Sequence, residues 1–389
     1  MSHMASRVAS LGTTVFAEMT ALATAKGALN LGQGAPDFNP PPEVMTWAQE
    51  ALRTPRHQYA HGWGYPEVRS AIADHARHFY GQALDPQSEV LVTNGATEGL
   101  FAAMQGLVDA GDEVILLEPF YDSYLAGVLM AGGVPRFVPL HAPTWTFDPQ
   151  ELRAAFSPRT KLILLNTPHN PTGKVFSRAE LQFIADLCQE FDVLALSDEV
   201  YEHIVFEGAQ HVRLATLDGM AERTLTLSSL GKTFSVTGWK IGWALGPADL
   251  VSAVNRAKQY ISYASASVLQ WAALAILNWT PHYVPALQAM YSAKRDLLLS
   301  ALQATPLIPS PPQGTYFIMA DTSALKCADD RAFAAWLVEA VGVACIPPSA
   351  FYSAAHRSLA QNWARFGFCK TDETLHAAAQ RLERLNYLA

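Results

Sequence analysis

The sequence predicts an α/β protein with a large domain built on a mostly parallel sheet covered by helices, and a second, smaller α+β domain. Three observations predict it. Apolar, β-rich runs alternate with helical stretches through the middle of the chain, the pattern changes after about Pro281, and the 389 residues are 50% hydrophobic but only 16% charged. At about 150 residues per domain the length gives two or three domains, and average soluble domains carry roughly 25% charge. Disorder, coiled coil and charged tails therefore fit poorly. The net charge of −8 lacks the basic excess that binding to phosphate backbones requires, so nucleic acid is not an expected partner.

The elements follow in order. Residues 89–93 form a short β-rich run, Asn94-Gly95 a turn, and residues 97–108 a helical stretch; residues 113–117 are a second strand, ending before Pro119. The unit repeats at the apolar run 161–165, which ends in the turn-rich Asn166-Thr-Pro-His-Asn-Pro-Thr-Gly173. Ser177 and Glu180 make an S-x-x-E capping box, which predicts a helix to about Glu190. Residues 193–196 and 224–227 are further strands, followed by Ser197-Asp198 and by Ser228-Ser-Leu-Gly-Lys232. Such alternation gives a mostly parallel sheet with helices on both faces, and ligands collect beyond the carboxyl ends of its strands. From about Pro281 a long helix over 285–302, a Pro-rich segment over 306–312 and short strands near 316–319 and 365–368 outline the smaller domain.

Residues 259–293 contain no Asp, Glu, Lys or Arg, but polar residues and prolines interrupt them. Their apolar heart, 268–279, is shorter than the roughly 20 residues that span a bilayer. A buried or subunit-contacting helix is expected there, and no membrane association. No secretory signal is visible, and Met1-Ser-His-Met4 reads as a cloning remnant. Cys188, Cys327, Cys345 and Cys369 form no CxxC pair, which suits free thiols in a cytoplasmic protein. The histidines show no metal-ligand spacing, and His75 and His78 are read as a solvated helix face.

The residues just past the strand ends are chemically unlike plain turns: Gly95-Ala96-Thr97, Phe120-Tyr121, Asn170, Asp198 and Lys232. Lys232 follows a strand, sits beside Gly231 and small hydroxyl residues, and lies eight residues before Lys240. With this surrounding the chain resembles pyridoxal-phosphate enzymes of the aspartate aminotransferase fold (fold type I, class I and II). It is most similar to the branch with kynurenine aminotransferase, glutamine transaminase K and methionine aminotransferase. Leu31-Gly-Gln-Gly-Ala-Pro-Asp37, Asn166-Thr-Pro-His-Asn-Pro-Thr-Gly-Lys-Val-Phe176, Ser197-Asp-Glu-Val-Tyr201, Ser228-Ser-Leu-Gly-Lys232 and Arg365-Phe-Gly-Phe368 carry the resemblance, in the family's order.

The resemblance implies a seven-stranded sheet in a cofactor domain over 46–283, with an arm over 1–45 and a small domain over 284–389. It makes Lys232 the lysine that forms the Schiff base with the cofactor, and Asp198 the carboxylate on the pyridine nitrogen. Tyr201 and Asn170 would hold the ring oxygen, and Tyr121 would stack on the ring. Taken alone, Asp198 could be a helix cap, Asn170 a turn, and Tyr121 plain packing. The phosphate would be received by Gly95, Ala96 and Thr97 at a helix start, by Ser229 and Lys240, and by Tyr59 from a neighbouring subunit. Lys240 stands where many relatives have Arg, so its contact would be a point charge and not a fork. Arg365, with Gly34 and Asn170, would grip the substrate α-carboxylate, while Phe16 and the neighbouring subunit's copy of Tyr263 would line the side-chain pocket. Thr97 replaces an aromatic found in some relatives.

The implied activity is transfer of an amino group from a neutral or aromatic L-amino acid, such as methionine, glutamine, phenylalanine or kynurenine, to a 2-oxo acid. The implied assembly is a homodimer with shared active sites. A cysteine-S-conjugate β-lyase on the same scaffold is the alternative, and a sensor protein a more distant one, since no helix-turn-helix pattern precedes Gly34.

Overall fold

The computed structural model describes residues 3–9 and 11–388; Met1 and Ser2, half of the stretch read as a cloning remnant, lie outside them. The first strand, β1 (Leu29–Asn30), is a two-residue piece. The β-rich runs of the middle of the chain become β2 (Val90–Thr93), β3 (Glu113–Glu118), β4 (Val134–His141), β5 (Thr146–Phe147), β6 (Thr160–Asn166), β7 (Leu194–Asp198), β8 (Thr224–Ser229) and β9 (Gly242–Leu245). They form one sheet in the order β2-β9-β8-β7-β6-β3-β4-β5. From β8 through β7, β6 and β3 to β4 every pairing is parallel, whereas β9 runs against both its neighbours. The seven expected strands are present, and β5 is a two-residue eighth, antiparallel to β4. The carboxyl ends of β2, β3, β6, β7 and β8 therefore open on the same edge.

β3 is buried at all six positions, as a strand covered on both faces must be. On one side Leu100, Met104, Val128 and Val251 pack on the sheet. On the other side stand Leu152, Leu181, Ile184 and Leu187. Each such side chain contributes roughly 1.5–3 kcal/mol by leaving water. The helix Arg178–Glu190 begins at the expected capping box, with both reciprocal bonds of Ser177 and Glu180 made.

The two chain ends share a core, in which Val15, Met19 and Leu31 meet Leu298, Phe333, Phe366 and Leu375. Its strands are β10 (Ile308–Ser310), β11 (Phe317–Asp321), β12 (Val343–Ala344) and β13 (Trp363–Gly367). β10, β11 and β13 make an antiparallel sheet, and β12 pairs with β1.

Two sequence expectations change. Pro281 and Pro285 do not open a new helix; both lie inside one helix of 37 residues, Ser267–Gln303. Proline removes ladder bonds, but packing at both ends holds the helix together. Ala273, Ile276 and Leu277 pack with Val68 and Ile72, while Leu287, Tyr291 and Leu298 pack in the core of the chain ends. The boundary expected at residue 283 thus falls within a helix. His75, read as solvated, is instead buried, its Nε2 2.8 Å from His203 Nε2, and burial holds its pKa down to about 3; only His78 is exposed.

Among the described residues no helix is long and apolar enough to cross a membrane, and the four cysteines are free thiols.

Candidate active site

The strand ends converge on a cavity of about 310 Å³. β7 delivers Asp198, buried, as its last residue, and burial raises its pKa to about 6. Two bonds pull the other way: Tyr124 donates its hydroxyl to Oδ2 at 2.7 Å, and the Val200 amide donates to Oδ1 at 3.3 Å. Asn166 at the end of β6 ties the neighbouring loop to this point, since its amide group donates to the Asp198 carbonyl at 2.9 Å and accepts from the Asn170 amide at 2.8 Å.

Lys232 lies in the short helix Leu230–Thr233 that follows β8. Burial lowers its pKa to about 8, helped by Arg365 and Lys240 and opposed by Cys369 and Asp198. Its Nζ is 3.4 Å from the Gly34 carbonyl oxygen and 5.6 Å from the ring centroids of both Tyr201 and Tyr316. Burial likewise pushes the Tyr201 hydroxyl well above its usual range, which keeps it a neutral donor.

β2 ends at the start of the helix Gly95–Leu107, where Gly95 has φ +73° and Thr97 lines the cavity. The first amides of a helix have no acceptor in the helix itself and point outward with the positive end of its dipole. Lys240 stands over this helix start: a Cβ on Gly95 would lie 3.1 Å from Lys240 Nζ. Gly242 backs it so closely that a Cβ there would meet the Gly95 carbonyl carbon at 2.7 Å. Ser229, paired with Gly242 in the sheet, lines the same cavity.

Arg365, on β13, is fully buried. Its guanidinium donates to Asn170 Oδ1 at 2.8 Å and to the Gly32 carbonyl at 2.7 Å, lies 4.0 Å from the centroid of the Phe317 ring, and leaves Nε without a partner. Burial lowers its pKa to about 10, so it stays charged at neutral pH. Phe16, from the helix Val15–Lys26, reaches the rim, 6.4 Å from Tyr121 and 5.7 Å from Phe351.

Thus Phe16, Gly34, Gly95, Ala96, Thr97, Tyr121, Asn170, Asp198, Tyr201, Ser229, Lys232, Lys240 and Arg365 all line one cavity. Tyr59 and Tyr263 do not. They are 84% and 52% exposed and meet each other edge to face at 5.4 Å on the outer surface. Sequence reasoning missed Tyr124, Asn166 and Phe317, whose places depend on contacts far along the chain. It also missed a buried charge cluster behind Asp198, where Arg213 pairs with Glu199 at 2.9 Å and Glu202 at 2.7 Å. His75, Glu202 and His203 bring potential metal-ligand atoms within 4.8 Å of one another, a grouping their spacing does not reveal, but Arg213 and Ser228 already engage both oxygens of Glu202.

Residues 26–382 match the family model for aminotransferase class I and II. The solved structure of N-succinyldiaminopimelate aminotransferase from Mycobacterium tuberculosis superposes with a TM-score of 0.95 at 47% identity, covering 98% of this chain and 100% of that one. The structure of YbdL from Escherichia coli, described with a methionine aminotransferase function, also has a TM-score of 0.95, at 37% identity, covering 99% of this chain and 100% of that one. Kynurenine–oxoglutarate transaminase 3 of Mus musculus is 44% identical over 97% of this chain and 89% of its own.

Proposed function

The chain belongs to the class I and II aminotransferases, and within that family we propose that it moves the amino group of a neutral or aromatic L-amino acid to a 2-oxo acid, with pyridoxal phosphate as cofactor and a homodimer as the working unit. The observation that carries this reading is the convergence of a buried lysine, a buried carboxylate and a buried arginine on one cavity: Lys232, Asp198 and Arg365.

The residues suit the cofactor. Asp198 is a desolvated carboxylate that, with a pKa of about 6, is ionised at neutral pH and suited to keep a ring nitrogen protonated. The helix start at Gly95, Ala96 and Thr97, with Ser229 and Lys240 beside it, forms an anion site of amides, hydroxyls and a cation. Bound there, pyridoxal phosphate supplies a ring that takes up negative charge from the substrate's α-carbon.

The protein does the rest. Lys232, with its pKa near 8, is neutral in a useful fraction of molecules at working pH and so can act as nucleophile and as the base that moves the α-proton. Tyr201 and Asn170 would hold the cofactor's ring oxygen, and Tyr121 would cover its ring, since all three line the cavity. Arg365, which lines the cavity, would hold the α-carboxylate, with Asn170 and the Gly34 amide beside it. In the dimer, Tyr59 and Tyr263 reach the other subunit's cavity, which accounts for two exposed aromatics with no place in their own.

Phe16, Tyr121 and Phe317 surround the remaining space, and among the described residues the only cations lining the cavity are Lys232, Lys240 and Arg365. This chain's own lining thus offers no further cation for a substrate side-chain carboxylate, which favours methionine, glutamine, phenylalanine, tyrosine or kynurenine. The test is to mix the cofactor-loaded protein with each amino acid and follow conversion of the cofactor's absorbance. Neutral and aromatic amino acids should convert it, and Lys232→Ala should not be converted by any. A response to aspartate or N-succinyldiaminopimelate alone would overturn the neutral pocket.

A further inference from the structure

Every carbonyl of the segment from Leu31 to Ala35 accepts a hydrogen bond. The Leu31 oxygen accepts from the Gly367 amide at 2.6 Å, Gly32 from Arg365 at 2.7 Å, and Gly34 from the Tyr316 hydroxyl at 2.8 Å. The remaining two carbonyls, of Gln33 and Ala35, both accept from Lys370 Nζ, at 3.2 and 2.8 Å. Lys370 is 4% exposed and forms no ion pair among the described residues. A buried ammonium without a carboxylate is costly, so its place calls for an explanation beyond packing.

The amides of the same segment show what it does. Those of Gly32 and Gln33 donate to Asn30 Oδ1 at 3.0 and 3.1 Å, whereas those of Gly34 and Ala35 have no acceptor among the described residues, and both residues line the cavity. The Gln33 carbonyl and the Gly34 N–H belong to one peptide unit, and in a trans peptide they point in opposite directions. A cation fixed on the carbonyl side therefore turns the N–H toward the cavity and polarises it as a donor. The segment cannot retreat, because a Cβ on Gly34 would stand 2.8 Å from the Phe317 ring. It is also pinned farther along, where the Thr371 amide donates to Asp37 at 2.6 Å.

We infer that Lys370 is a positioning residue for substrate recognition: from behind the Gln33–Gly34 peptide it aims and strengthens the Gly34 amide as the partner of Arg365 on the substrate carboxylate. This rests on the proposed aminotransferase reading and adds to it a group that never touches the substrate.

The test measures binding of 3-phenylpropionate, a carboxylate without an amino group, to the cofactor-loaded protein through the cofactor's absorbance, together with amino-acid saturation. Lys370→Met should weaken carboxylate binding and raise KM about 10-fold, the loss of one charge-assisted bond, while kcat stays within about 3-fold. Cofactor affinity should be nearly unchanged, the melting temperature should fall by a few degrees as two buried carbonyls lose their donor, and Lys370→Arg should restore most of the binding and of the stability. If Lys370→Met does not fold, Lys370→Gln, which keeps a donor without the charge, should show the same direction of change. Carboxylate binding within about 2-fold of the parent in the neutral variant overturns the role of Lys370 alone. If the parent protein neither binds the carboxylate nor responds to any amino acid, the functional reading fails, and this inference with it.

Discussion

Asp198→Asn should make the cofactor-free protein more stable at neutral pH. Asp198 is buried, and burial lifts its pKa from 3.8 to about 6 despite the bonds from Tyr124 and Val200. A raised carboxylate pKa means that the ionised form is less at home in the fold than in the unfolded chain. The cost is therefore present above about pH 6 and fades as the pH falls toward the unfolded value near 4. A rise of about two units at 1.36 kcal/mol each makes that cost about 3 kcal/mol at pH 7.5, and by the same linkage about 1 kcal/mol at pH 4.5. The carboxamide keeps an acceptor for the Val200 amide and a partner for the Tyr124 hydroxyl, so little else is lost. Thermal melting of cofactor-free parent and variant at both pH values is the assay. The variant should melt a few degrees higher at pH 7.5, with the gap narrowing by about two thirds at pH 4.5. With saturating pyridoxal phosphate the order should reverse, because the ring nitrogen then has lost its ionised partner. A cofactor-free variant that melts at or below the parent at pH 7.5, or a gap that ignores pH, would refute the reasoning.

Arg365→Lys replaces a planar fork that holds Asn170 and Gly32 at once with a single ammonium; KM for the amino acid should rise about 10- to 100-fold with a smaller change in kcat, read from steady-state kinetics. Gly242→Ala places a methyl 2.7 Å from the Gly95 backbone; the helix start must shift, so cofactor affinity measured by fluorescence titration should fall at least about 10-fold, a loss of about 1–3 kcal/mol from overpacking.

Part of the cavity lining was legible because its residues sit at strand ends, which can be read locally, whereas the roles given to them came from the family resemblance alone. The apolar runs ending at Thr93, Asn166, Asp198 and Ser229 are each followed by small, polar or glycine-rich residues, and the fold places those ends along one edge. What escaped depends on distance along the chain. Tyr124 bonds Asp198 across 74 residues, and Lys370 reaches Gln33 across 337. Neither has a local signature: a tyrosine on a helix and a lysine after a strand look alike whether they face water or a carboxylate. His75 was misread for a related reason. A spacing of three places His75 and His78 near each other on the helix without saying which of them meets the core, and Val68, Ile72 and Trp243 settle the matter only in three dimensions. Tyr59 and Tyr263 show the converse, since nothing in one chain brings them to the cavity.

The 37-residue helix Ser267–Gln303 ties these regions in a way that also shapes how the molecule comes apart. Its first turns are packed against the edge of the large sheet at β2 and β9 and its last turns against the shared core of the chain ends. Neither body can melt while the other stays intact without leaving half of an apolar stripe in water, a loss of several buried leucine-sized groups. The helix therefore couples the two bodies, and a cut between Pro281 and Pro285 would leave each with an unfinished piece of it.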